Sequence, residues 1–117
     1  MSITLDELRQ QSLAIRDARL KELRERMEAI KHKVDSLSQA INEEAKLIKP
    51  NFNSHIILKI IYADYSMFMR SAYLSFNNVS IDFMKQILDN LKVNYDGYIG
   101  LDESEGCNAN CFTYVFD

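Results

Sequence analysis

The sequence predicts an α+β fold in which one long amphipathic helix precedes a small ββαββ-like module. Three observations carry this reading. Residues 5 to 49 contain neither Gly nor Pro, and their apolar residues recur at helical spacing. All twelve aromatic residues, six Tyr and six Phe, lie beyond Pro50. Past that boundary, runs rich in β-branched and aromatic residues flank a Ser-led amphipathic stretch.

The helix start is marked by Thr4 and Glu7 at capping-box spacing, with Ile3 and Leu8 placed as a hydrophobic staple. Pro50 and the Asn51-Phe52-Asn53-Ser54 run supply the stop, so the helix is expected to end near Ile48. Between these limits the apolar residues follow a heptad. Leu13, Leu20, Met27, Val34, Ile41 and Ile48 hold one seam position, and Leu23, Ile30 and Leu37 hold the other. Arg16 and Glu44 interrupt that coiled-coil seam. Ser36 and Gln39 repeat the capping-box spacing, which offers an alternative reading as two helices folded into a hairpin.

The composition changes at Lys49-Pro50, dividing residues 1–49, the helix, from residues 50–117, the aromatic-rich module. Residues 1–50 hold ten Lys/Arg and nine Asp/Glu, net +1, whereas residues 51–117 hold four and eight, net −4. His55 to Tyr62 suits a buried strand. Residues 63–76 show no dominant period, and a continuous helix over 55–76 is the alternative, which would make the chain mainly α with a C-terminal β-hairpin. Ser80 is placed to cap a short helix presenting Phe83, Ile87, Leu88 and Leu91 on one face, with Val79 as a staple to Met84. Tyr95-Asp96-Gly97-Tyr98 reads as a tight turn, followed by Tyr98–Leu101 and Cys111–Phe116 as short strands around a polar loop. An isolated hairpin is marginal in water, which favours strands in the 55–76 region as its partners.

Geometry then bears on function. From Leu13 to Ile48 a helix spans about 54 Å at 1.5 Å per residue. A compact module of the size of residues 51–117 has a diameter of roughly 28 Å. An unbroken helix is therefore longer than the module can cover, and part of its seam must meet another chain or water. The expected partner-binding residues are the apolar Leu13, Leu20, Leu23, Met27, Ile30, Val34, Leu37 and Ile41 with the basic Arg19, Arg24, Arg26, Lys31 and Lys33 flanking them. Among acidic residues only Asp17 opposes those flanks, so two identical seams face each other as like charges, and an acidic surface suits them better, either the net −4 C-terminal module of a neighbouring protomer or a distinct acidic partner. Pairing within the helix, as between Glu22 and Arg26 or Glu28 and His32, is the plainer account of the same residues.

Other chemistry finds little support. Net charge −3 gives no general attraction to nucleic acid. Ile56–Phe76 carries Lys59, Asp64 and Arg70, which argues against a membrane span. The first ten residues lack a basic stretch followed by an apolar one, so a cytoplasmic location is expected. Cys107 and Cys111 suit a disulfide or two metal ligands, but His32 and His55 have no metal spacing to them, and ordinary thiols are expected. Asp102, Glu103 and Glu105 lack the alternation of a calcium loop. No phosphate-binding or nucleophile-elbow motif occurs, and three Gly residues leave little for such loops. The six tyrosines suit either a binding face or cross-strand packing. The expectation is a non-enzymatic protein-interaction module with no cofactor, self-assembling or partner-binding, such as a phage-encoded inhibitor of a host protein, an antitoxin or a secretion chaperone. The alternatives are a DNA-binding regulator using the basic helix and a small thiol enzyme using Cys107 or Cys111.

Overall fold

The structure, a computed structural model, describes residues 2–64, 70–102 and 109–116. The helix α1 runs unbroken over Leu5–Ile48. The second capping box at Ser36 opens no hairpin, because nothing in the surrounding sequence breaks the backbone ladder and Leu37 and Ile41 are held in the core. Thr4 caps the N-terminus, its Oγ1 accepting from the Glu7 N–H at 3.2 Å. At the other end the Phe52 N–H donates to the Lys49 carbonyl, and Phe52 meets the Phe83 ring edge-on at 5.7 Å.

Among the described residues, four strands and one further helix follow: β1 (Leu58–Ala63), β2 (Ser71–Phe76), α2 (Ile81–Asn90), β3 (Tyr95–Asp102) and β4 (Ala109–Val115). All strand pairings are antiparallel, in the order β1-β2-β4-β3. A continuous helix over 55–76 is therefore excluded, since β1 and β2 within it are paired strands, and the chain is α+β.

Opposed residues in the ladder share a face, which identifies the side on which the helices lie. Ala72, Leu74 and Phe76 of β2 stand opposite Tyr114, Phe112 and Asn110 of β4. On the same face, Leu58 and Ile60 of β1 stand opposite Phe76 and Leu74. Ile30, Val34, Leu37, Ile41 and Ala45 of α1 join Ala72, Leu74, Phe76, Phe112 and the α2 residues Phe83, Met84, Ile87 and Leu88 in one buried cluster. The second face carries Tyr62, Tyr73, Ser75, Cys111 and Thr113.

The two edge strands are irregular. In β1, Ile60 pairs with Leu74 and Tyr62 with Tyr73, so Ile61 is an extra residue that lets both Ile60 and Ala63 turn inward. In β3, Tyr95 pairs with Tyr114 and Ile99 with Phe112, which leaves two extra residues on the β3 side. The segment 95–98, whose composition suggests a tight turn, is this irregular part of a strand; the pairing of Tyr95 to β4 keeps the chain extended.

Residues 55–57 are expected as strand but lie outside it, because side chains replace the ladder there. Asn42 on α1 donates through Nδ2 to the carbonyls of Ile56 (2.9 Å) and Ser38 (2.8 Å), and its Oδ1 accepts from the Ile56 N–H at 2.8 Å. Asn77 accepts from the Ile57 N–H at 3.3 Å, and Asn78 donates to the His55 carbonyl at 2.7 Å. Asn78 has φ 70°, a left-handed conformation that Asn tolerates better than most residues. Three asparagines thus fasten the returning chain to α1 and to the β2–α2 connection.

Ser80 caps α2, its Oγ accepting from the Phe83 N–H at 3.2 Å. At its end, the Val93 N–H reaches the Leu88 carbonyl (3.0 Å) and the Lys92 N–H the Asp89 carbonyl (3.1 Å), the pair of bonds of a Schellman cap. Lys92 sits there at φ 56°, where glycine is the usual residue. The Tyr95 hydroxyl donates to Asp89 Oδ1 at 2.7 Å. That bond first, then burial and the carboxylate charge, holds the Tyr95 phenol above its ordinary pKa. Burial raises that of Tyr114.

Two stability measurements follow from these local features. Asn42→Ala strands the N–H and C=O of the fully buried Ile56 and is expected to cost about 2–3 kcal/mol in urea unfolding; a cost near zero contradicts the clamp. Lys92→Gly relieves the left-handed strain and is expected to stabilise the chain by about 1 kcal/mol on the same curve.

Candidate interaction surface

The apolar stripe of α1 is one continuous feature of the sequence, but the fold covers only part of it. Leu13 is 53 % exposed, Leu20 44 %, Leu23 40 % and Met27 44 %; one turn later Ile30 is 6 % exposed, and a further turn on Val34 is 4 % exposed. The change falls where α1 meets the module. Over residues 30–45 the stripe packs on the chain's own sheet and α2. Its partner there is not a second long helix, so a coiled coil does not describe that half.

The expected partner residues therefore separate into two groups. Ile30, Val34, Leu37 and Ile41 are buried in the chain's own core and are not accessible to a partner. Lys33 is half-buried, with its ammonium 5.2 Å from the centre of the Phe116 ring, so it also serves the module. Leu13, Leu20, Leu23 and Met27 stand exposed with Arg19, Arg24 and Lys31. Arg26 is half-buried and forms an ion pair with Glu22 one turn earlier, as the helical spacing suggested.

The molecule measures 73 × 28 × 23 Å. Its length is set by α1, whose forty-four residues rise about 66 Å. Residues 5 to 29 form an arm beyond the core. No tertiary contact is needed to explain why this arm is helical. It lacks Gly and Pro and is rich in Ala, Leu, Arg, Glu and Lys, and the buried half of α1 provides the nucleus from which it propagates.

Heptad spacing alone misses some of the surface. Ser12, Ile15 and Arg16 line a shallow concavity together with Arg19, Leu20 and Leu23. Ile3, Leu5, Leu8 and Ile15 are further exposed apolar residues at this end. A full helical projection would have found them, because side chains three and four residues apart meet whether or not they fall in strict register.

Among the described residues the remaining chemistry does not assemble into a site. His32 on α1 and His55 in the connection before β1 are both exposed. Cys111 is buried on β4, and Cys107, Glu103 and Glu105 lie outside the described residues, as does Tyr65. Among the described residues, no three His, Cys, Asp or Glu side chains cluster as metal ligands do. Nor, among them, is any helix long and apolar enough to cross a membrane. No family model, curated protein or solved structure matches this chain.

The division of the stripe is measurable by substitution. Leu20→Gln/Leu23→Gln is expected to change the unfolding free energy by less than about 0.5 kcal/mol, since both side chains lie outside the core. Ile41→Ala, at the fully buried end of the same stripe, is expected to cost about 2–5 kcal/mol. Comparable losses in the two variants contradict the exposed arm.

Proposed function

We propose that this chain is a non-enzymatic interaction module, in which the C-terminal half of α1 and the sheet form a rigid base and the N-terminal half of α1 is the docking arm. One observation carries the reading: the seam is buried from Ile30 onward and exposed from Met27 backward, with no change in its spacing. Each exposed leucine or methionine that another protein buries fully contributes up to roughly 1.5–3 kcal/mol, so a few such residues supply useful affinity. Helix-to-helix docking of the coiled-coil type fits the 4-3 spacing of Leu13, Leu20, Leu23 and Met27. Inhibition of a host protein by a phage-encoded chain is the biological role put forward with it, since masking a partner's helix-binding surface demands no catalytic group. A cytoplasmic setting belongs to the same proposal. The burial of Cys111 counts against a thiol enzyme acting through that residue.

Site-specific crosslinking in cells that naturally express the chain tests the arm directly. A photoreactive residue at position 20 is expected to give a discrete adduct, with a second copy or with another protein, that Leu23→Gln weakens. The same residue at position 25, on the back of the helix, is expected to give none. Equal labelling at both positions, or none at either, overturns the proposal.

A further inference from the structure

Charge is segregated around the exposed arm. With 3.6 residues per turn, Arg9, Arg16 and Arg24 fall within about 55° of the midline through Leu13, Leu20, Leu23 and Met27, and Arg19 lies at about 85°. Glu7, Glu22 and Glu25 fall on the other side of α1, beyond about 140° from that midline, and Glu28 lies at about 95°. Asp6 at about 55° and Asp17 at about 75° are the acidic residues that share this arc with the arginines. Among the described residues Arg26 pairs with Glu22, whereas Arg9, Arg16, Arg19 and Arg24 make no ion pair. All four are exposed.

We infer that the occupant of this arm is an acidic amphipathic helix of a different protein, with apolar residues along its seam and Glu or Asp beside it. The inference rests on the docking-arm reading and names the chemistry of the partner. Guanidinium groups hold carboxylates through paired, charge-assisted hydrogen bonds, so arginines around leucines suit a surface that is both apolar and acidic. A second copy meeting arm to arm brings four more arginines and only two aspartates to the same contact, and leaves like charges facing one another. A lipid surface meets Arg9 and Arg16 near the midline of the apolar face, where an inserting helix needs its most apolar residues. Duplex DNA offers phosphates to the arginines but no matching apolar seam to Leu13, Leu20, Leu23 and Met27.

The test uses the full chain and two synthetic amphipathic helical peptides with the same leucine seam, one flanked by Glu and one by Lys. Fluorescence anisotropy is expected to show the Glu peptide binding at least tenfold more tightly than the Lys peptide, with affinity falling as salt rises. Arg16→Glu/Arg19→Glu/Arg24→Glu is expected to reverse the preference, and Leu20→Gln/Leu23→Gln to weaken both peptides. Equal affinity for the two peptides, or a preference that survives charge reversal, overturns the acidic partner. If neither peptide binds and sedimentation shows a dimer that Leu20→Gln/Leu23→Gln dissociates, the arm is a self-assembly surface; the acidic partner fails while the docking arm stands. If neither peptide binds but duplex DNA or vesicles of anionic lipid do, and the arginine variant abolishes it, both the acidic partner and the protein-docking reading fail.

Discussion

The burial of Ile30, Val34, Leu37, Ile41 and Ala45 against the sheet and α2 is the contact on which the rest of the structure depends. Four short strands with two irregular edges form a weak unit alone; they need an apolar layer on one face. The second half of α1 supplies much of that layer. The same contact fixes the helix that carries the arm. Because the helix continues without a break, the arm needs no packing of its own to be ordered at its base. One hydrophobic interface thus completes the core and orients the exposed seam.

The polar counterpart of that interface is the asparagine clamp. A chain leaving a long helix and returning to start a sheet has backbone groups with no ladder to join, and when buried these are costly. Asn42 meets both backbone groups of Ile56, acting as a substitute strand neighbour on the face of a helix. Asn77 and Asn78 add one bond each on the exposed side, Asn77 accepting from the Ile57 N–H and Asn78 donating to the His55 carbonyl. The clamp sets where α1 lies relative to β1, and so how much of the seam the module reaches.

Local rules were legible in the sequence wherever the physics is local. Both N-caps, at Thr4 and Ser80, are where side-chain spacing placed them, and Phe83, Ile87 and Leu88 face the core as their period requires. Long-range pairing was not legible in the same way. The heptad announced a buried stripe but could not say that a mixed sheet-and-helix surface would cover half of it. Tyr95–Tyr98 has turn composition, yet tertiary pairing with β4 overrides that preference. Asn42 looks like an ordinary surface residue until Ile56 is brought beside it from fourteen positions away. The compositional boundary at Pro50 is real, but it passes through one hydrophobic core, since α1 contributes to the cluster from one side of it and the sheet from the other.

The exposed half of the stripe invites a comparison with what folding alone requires. Helical propensity in residues 5 to 29 is served by Ala, Arg, Glu and Lys as well as by Leu, so an arm with a wholly polar surface would be equally helical. Leu13, Leu20, Leu23 and Met27 contribute little to the core and enlarge the apolar surface, which favours unwanted association. The arginines beside them temper this, because the stripe cannot meet its own copy without setting cation against cation. A stripe that attracts apolar surface while its border rejects basic surface is selective rather than merely adhesive. That combination is the physical basis of the proposal that the arm meets a foreign acidic helix.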